Sequence, residues 1–192
     1  NSSTSTAVNL STWYYFYNGS VTSNDMEIAD FDGDGRVDVA LTNSNSGNGT
    51  FYINRNTSTP SNYTVAAINV EFAGVAGYTV TDIAVADFDK DGKPDVILSY
   101  NNNVVSVFRN ISSIGNINFA SKVDITLGTI SVINTIAIGD IDGDGKMDVA
   151  VAGGSGSQIN YLRNTSTVGA ISFATYTTTS LSGTITGITI GD

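Results

Sequence analysis

The chain has 192 residues, long enough for a sizeable hydrophobic core, and it contains no cysteine and no histidine. These absences exclude disulfides, zinc–thiolate sites and the commonest general base of enzymes. The net charge of −10 argues against a nucleic acid partner, which needs a basic surface, and no apolar run approaches the roughly 20 residues of a membrane span.

One nine-residue motif occurs three times. Residues 30–38 read Asp-Phe-Asp-Gly-Asp-Gly-Arg-Val-Asp, residues 87–95 read Asp-Phe-Asp-Lys-Asp-Gly-Lys-Pro-Asp, and residues 140–148 read Asp-Ile-Asp-Gly-Asp-Gly-Lys-Met-Asp. The three copies hold 12 of the 18 acidic residues. Asp192 follows the same Ile-x-Ile-Gly sequence as Asp140, so we expect it to begin a fourth loop.

A second marker, Arg-Asn-x-Ser, begins at Arg55, Arg109 and Arg163, and so recurs every 54 residues. The start of the chain at Asn1 matches it without the arginine. We therefore expect one repeat array with units at about 1–55, 56–109 and 110–163 and a partial unit at 164–192. Because both ends are in phase, we expect it to belong to a longer array or to meet neighbours end to end.

Short runs of Val, Ile, Thr and Tyr, broken by Gly, Asn and Ser, indicate an all-β chain without sustained helical periodicity. In the second unit the predicted strands are 83–86, 95–100, 104–108 and 117–125. The run at 95–100 is mainly apolar on both faces, which is typical of a strand buried on both sides. Four strands per roughly 54 residues predict tandem β-propeller-like blades, about three and a half of them, in an open array or part of a larger ring.

The nine-residue loops are predicted to bind calcium. Aspartates at positions 1, 3, 5 and 9 converge if the glycine at position 6 reverses the backbone, and position 7 then offers its carbonyl oxygen. Without a cation, four carboxylates this close would repel one another. The candidate ligands are Asp30, Asp32, Asp34, Arg36 and Asp38; Asp87, Asp89, Asp91, Lys93 and Asp95; Asp140, Asp142, Asp144, Lys146 and Asp148; and Asp192 as the start of a fourth site.

Other interpretations of these loops fit less well. A single Asp-Gly-rich turn is usually only a turn, but three copies in phase are not. An EF-hand needs glutamate at position 12, where this chain has Leu41, Leu98 and Val151, and it needs flanking helices. Magnesium fits a cage of protein oxygens less well than calcium does.

The Asp-x-Asp-x-Asp-Gly-x-x-Asp loop between two strands, repeated at this interval, resembles the FG-GAP/VCBS-type repeat of β-propellers. That family includes the integrin α-subunit propeller and many bacterial surface proteins. The resemblance implies that each loop joins the first two strands of a blade and binds calcium through the aspartates named above. The Phe-Gly and Gly-Ala-Pro elements that give the family its name are not present as such.

Three further features have two interpretations each. The Asn-x-Ser sequences at Asn1, Asn56, Asn110 and Asn164 either carry glycans on one face or simply end a strand and start a turn. The aromatic run at residues 13–17 favours packing or an inter-subunit contact over a sugar site. The arginines of the second marker are expected to pair with nearby carboxylates.

We expect a non-enzymatic, calcium-stabilised structural or adhesive protein, outside the cell or on its surface. Its units would associate with one another or with neighbouring repeats, and a glycosylated filament is one form that such association takes. The alternatives are a ligand- or carbohydrate-binding propeller that recognises surface glycans, and the non-catalytic module of a larger secreted protein. Catalysis by paired carboxylates is disfavoured, because an active site is normally single and these clusters occur three times.

Overall fold

The computed structural model describes residues 23–43, 47, 49–59, 65–154, 158–183 and 185–191, with the backbone alone for residues 65–69. Within these residues the regular secondary structure is entirely β-strand. The strands form three four-stranded antiparallel sheets, which we call blades 1, 2 and 3. The predicted all-β fold is therefore confirmed.

Each blade is a meander in which consecutive strands pair. Blade 1 contains β1 (Met26–Ala29), β2 (Asp38–Asn43), β3 (Thr50–Asn56) and β4 (Val65–Phe72). Blade 2 contains β5 (Val80–Ala86), β6 (Asp95–Tyr100), β7 (Val104–Phe108) and β8 (Val123–Thr126). Blade 3 contains β9 (Ile133–Gly139), β10 (Asp148–Gly153), β11 (Gln158–Leu162) and β12 (Thr177–Ser180).

The first strands β1, β5 and β9 are neighbours in that order, which is the arrangement of consecutive propeller blades. In the described residues the three blades do not close into a ring. The blades begin about 25 residues later than the predicted sequence units, at residues 26, 80 and 133. A sequence period fixes the length of a repeat but not the strand at which its sheet begins.

The hydrophobic cores lie between the blades. All six residues of β6 are buried, as the apolar run at 95–100 predicts, and the same is true of β10. Successive side chains of a strand point to opposite faces. Val96 and Leu98 accordingly belong to the core shared with blade 1, whereas Ile97 belongs to the core shared with blade 3. One strand thus contributes to two interfaces, so each blade depends on its neighbour for burial.

The second residue of the first two loops anchors its loop to the following blade. Phe31 is 1% exposed and lies edge-on to Phe119 of blade 2, with ring centroids 6.1 Å apart. Phe88 is 0% exposed and makes the same contact with Phe173 of blade 3 at 5.7 Å. Edge-to-face pairs at these distances are favourable beyond the area that they bury. The loops are therefore packed against the next blade and are not free surface turns.

The predicted fourth strand at 117–125 is only partly correct. Strand β8 begins at Val123, and residues 110–119 form a small hairpin with bridges between Asn110 and Phe119 and between Ser113 and Asn116. Ile117 and Phe119 are buried in the core, so their alternation has the period of a strand. The segment nevertheless forms a hairpin and not a strand of the sheet, because its polar groups hydrogen-bond to one another.

Residues 185–191 run beside β9 in blade 3. Asn134 Nδ2 donates to Ile185 O at 3.4 Å, and a Cβ atom added to Gly139 would lie 2.5 Å from Ile190 Cγ2. A glycine therefore suits position 139. Asp192, Asn1 and the aromatic run at 13–17 lie outside the described residues, so the predictions made for them stay predictions.

Candidate metal centre

Each nine-residue loop joins the first and second strands of its blade and brings three carboxylates together. The groups come from positions 1, 3 and 9, and their potential ligand atoms all lie within 4.8 Å of one another. Calcium binds oxygens at 2.3–2.6 Å, so two oxygens on one ion are at most about 5 Å apart. The clusters therefore fit one hard divalent cation each: Asp30, Asp32 and Asp38; Asp87, Asp89 and Asp95; Asp140, Asp142 and Asp148.

The first aspartate organises the turn by accepting backbone N–H groups. Asp30 accepts from Gly33 at 2.9 Å, from Asp34 at 3.0 Å and from Gly35 at 2.7 Å. Gly35 has φ +86°, a conformation that other residues adopt only with strain. The matching glycines bond in the same way in the other loops, at φ +87° and +80° (Gly92 and Gly145). The sequence prediction that position 6 reverses the chain is confirmed.

The ninth aspartate is buried in all three clusters. Asp95 accepts the N–H of Phe88 at 2.9 Å and that of Asn110 at 2.8 Å. Burial nevertheless raises the pKa of Asp95 to about 7, and the charges of Asp89 and Asp91 act in the same direction. Burial also raises the pKa of Asp38 in the first loop. A cation among these carboxylates would favour their charged form.

Position 5 lies outside the three-carboxylate clusters, although the sequence analysis includes it among the ligands. Asp91 accepts the N–H of Lys93 with Oδ1 at 3.0 Å, and its Oδ2 accepts from Arg109 at 3.1 Å. Asp34 and Asp144 make the corresponding bonds. At position 7 the two lysine side chains bond to Ser112 O and Ser166 O. The position-7 carbonyl oxygens stay predicted ligands.

An arginine from the end of the third strand lies against every loop. Arg109 Nε donates to Asp89 Oδ2 at 2.7 Å, and the same guanidinium reaches position 5. Arg55 and Arg163 bond to positions 3 and 5 of their own loops in the same way. The predicted pairing of these arginines with carboxylates is confirmed. Burial opposes ionisation of Asp32, but the bonds from Arg55 and from the N–H of Gly115 outweigh it and lower the pKa of Asp32.

Comparison with protein families agrees with this geometry. The FG-GAP-like repeat model matches residues 30–98 and 87–151, and the FG-GAP repeat model matches residues 133–170. The matches span well over half of the chain. The chain belongs to the FG-GAP-like repeat family. The VCBS variant of the resemblance stays a prediction. A search of curated proteins finds no match.

FG-GAP repeat proteins are typically extracellular, and their repeats generally serve as structural or adhesion modules. Among the residues that the structure describes, none lies in a helix of the length and apolarity needed to cross a membrane.

The Asn-x-Ser sequences of these FG-GAP repeats form turns. Asn110 and Asn164 are 0% exposed, and each Oδ1 accepts the N–H of the serine two residues later at 2.8 Å. Each Nδ2 donates to two backbone carbonyl oxygens. A glycan on this nitrogen would displace at least one of these two bonds, so the folded chain favours the turn interpretation at these two positions. Glycosylation there stays a prediction. Asn56 is half-buried and makes the same turn with Ser58 at 2.9 Å.

One further pair of carboxyl groups was missed by the sequence analysis. Asp25 and Asp82 occupy the same place, five residues before the first aspartate of their loops. Asp25 accepts the N–H of Ile83 at 3.2 Å, and Asp82 accepts that of Ile136 at 2.8 Å, so each holds the first strand of the next blade. The two carboxyl groups also interact, and Asp25 helps to raise the pKa of Asp82. Both lie at the same sequence separation from their loops, and this pattern would have identified them.

Proposed function

We propose that this FG-GAP repeat array is a non-enzymatic, calcium-stabilised module that acts outside the cell as a structural or adhesive component. The observation that carries the proposal is the threefold recurrence of a compact aspartate cluster between the first two strands of a blade. A bound cation would fasten those strands and offset the repulsion among the carboxylates. Extracellular calcium is present at roughly millimolar levels, which suits sites of modest affinity.

Thermal unfolding with and without chelator tests this proposal. Calcium that binds only the folded chain is expected to raise Tm, with a shift that grows as the logarithm of its concentration above Kd, and EDTA is expected to lower Tm. Asp95→Asn removes a buried carboxylate from the second cluster and should reduce the calcium-dependent part of the shift. Glu71→Gln removes the same charge at an exposed position outside the loops and is the matched control. A Tm that is identical in calcium and in EDTA would contradict a structural role for the ion.

Two exposed surfaces support association with further blades of the same kind. Met26 in β1 is 54% exposed, whereas Ile83 and Ile136, at the same place in blades 2 and 3, are buried beneath the preceding blade. On the opposite side, Ile141 is 43% exposed, although its counterparts in the first two loops are buried beneath the following blade (Phe31 and Phe88). The two surfaces are therefore the two halves of the contact that already joins the blades within the chain.

Another FG-GAP blade, from a longer chain or from a second copy, is the partner that fits these surfaces. A head-to-tail contact between copies that does not close gives a filament. Electron microscopy should then show fibres that Ile141→Asp shortens or abolishes. Compact rings, or glycan binding that is lost when residues 13–17 are changed, would instead support a ligand-binding propeller.

A further inference from the structure

The turn after the third strand of blade 2 reaches back to the aspartate loop of blade 1. Asn110 Nδ2 donates to Phe31 O at 2.9 Å, and the N–H of Gly115 donates to Asp32 Oδ2 at 2.8 Å. Both acceptors belong to the loop at residues 30–38, and both donors lie about 80 residues later in the chain. The first loop is therefore completed by the second blade.

The next junction repeats this contact with the same atoms. Asn164 Nδ2 donates to Phe88 O at 2.9 Å, and the N–H of Gly169 donates to Asp89 Oδ2 at 2.9 Å. Phe88 and Asp89 are positions 2 and 3 of the second loop. The same atoms make this contact at both junctions. The contact is therefore a feature of the repeat and is not specific to one junction.

We propose that each aspartate loop is a two-blade site, whose affinity for its cation is set by the turn of the following blade. The inference rests on the proposed calcium function. Asp32 Oδ2 receives Arg55 from its own blade and Gly115 from the next, so the carboxylate is held in one orientation before a cation arrives. Partners that orient a metal ligand from outside typically account for 10–100-fold in affinity. Binding is reciprocal, so the cation in turn tightens the junction between blades.

The third loop offers a comparison within the same chain. Among the described residues, no later turn donates to Ile141 or to the Asp142 carboxylate. Asp140 and Asp142 are exposed, whereas Asp32 and Asp89 are buried. Within the described residues, the loop that receives no bond from a following turn is thus also the loop with the most exposed carboxylates.

The test is a calcium titration of the intact chain, followed by NMR at the amides of Gly35, Gly92 and Gly145, one in each loop. Gly115→Pro removes the N–H that reaches loop 1, and Gly169→Pro removes the one that reaches loop 2. Both glycines lie in exposed turns at positive φ. The control is a third exposed glycine at positive φ, changed by Gly183→Pro, which strains the backbone without contact to a loop.

Gly115→Pro is expected to raise the Kd of loop 1 about 10-fold and to leave loops 2 and 3 unchanged. Gly169→Pro should raise the Kd of loop 2 by the same factor, and Gly183→Pro should change the Kd of no loop. Asn110→Ala, which removes the side-chain donor and keeps the N–H of Gly115, should also weaken loop 1. An unchanged Kd of loop 1 in both Gly115→Pro and Asn110→Ala, or equal changes in all three loops, overturns the proposal.

A second readout needs no cation. In EDTA, amide hydrogen exchange at Gly35 should be faster in Gly115→Pro than in the parent chain, with Gly92 unchanged. Equal exchange at Gly35 in the two proteins would overturn the proposal that the turn of blade 2 holds the first loop in place. A parent chain that binds no calcium at millimolar concentration would instead refute the proposed function, so the two failures are distinguishable.

Discussion

The side-chain nitrogen of Asn110 lies 2.9 Å from the carbonyl oxygen of Phe31 in blade 1 and 2.9 Å from that of Pro94 in its own blade. Pro94 immediately precedes Asp95, the buried aspartate of the second loop. One interior amide therefore links two consecutive loops. This link explains why the Arg-Asn-x-Ser sequence repeats in step with the aspartate motif.

The loop at 140–148 is expected to bind calcium about 10-fold more weakly than the other two loops. Its first two cluster aspartates are exposed, and among the described residues no turn of a following blade holds them. Calorimetric titration of Asp148→Asn should then lose only the weakest binding event, and the matched change Asp95→Asn should lose a tighter one. Three sites of equal affinity would contradict this expectation.

Arg109→Gln is expected to lower the free energy of unfolding by about 2 kcal/mol in EDTA and by less in calcium. The Asp89 side chain that Arg109 contacts is 0% exposed, and a buried carboxylate without its partner is costly. Calcium would supply the missing positive charge. Urea unfolding in both buffers measures the difference.

Arg163→Gln is the matched control for that experiment, because its partner Asp142 has a side chain that is 35% exposed. Solvent screens an ion pair this open, so Arg163→Gln is expected to lower the free energy of unfolding less than Arg109→Gln does. The two substitutions could lower the free energy of unfolding equally, or calcium could fail to reduce the effect of Arg109→Gln. Either result would show that the arginine and a cation do not both neutralise the Asp89 carboxylate.

Asp82→Asn is expected to stabilise the chain above pH 6. Burial, followed by the interaction with Asp25, raises the pKa of Asp82 from its ordinary value of 3.8 to about 6. The folded chain therefore holds this proton more tightly than the unfolded chain, so stability falls as the pH rises from about 4 to 6. Asparagine can still accept the N–H of Ile136. The gain should be about 1 kcal/mol, because solvent screens this half-buried pair.

The measurement for Asp82→Asn is urea unfolding at pH 4 and pH 7, compared with Glu71→Gln as an equal loss of charge at an exposed site. Asp25 and Glu27 are the nearby charged groups that face Asp82, and both are acidic. A variant whose stability changes equally at the two pH values would show that Asp82 does not titrate in this range.

The sequence predicts the features that short stretches encode. The alternation of apolar residues and the glycine at position 6 specify the strands and the sharp turn between them, and these are present in the structure. The run at 95–100 is buried on both faces, and its successive apolar residues 96–98 place a hydrophobic side chain on each face of the strand. Local patterns of this kind need no knowledge of the neighbouring blade.

The features that depend on contact between blades were not predictable in the same way. Asn110 and Asn164 have the sequence of glycan acceptors, and their burial beneath a neighbouring loop follows only from the packing of one blade on the next. The pairing of Asp25 with Asp82 likewise joins two blades, 57 residues apart. Ile117 and Phe119 alternate as in a strand, yet a local hairpin forms there.

The most direct test of the central claim is a crystal structure of the chain grown in millimolar calcium. The account predicts a strong, calcium-sized density peak among the carboxylates of each of the three loops, at about 2.4 Å from their oxygens, and its loss from crystals soaked in EDTA. Carboxylates that surround only water in all three loops, at saturating calcium, would contradict it.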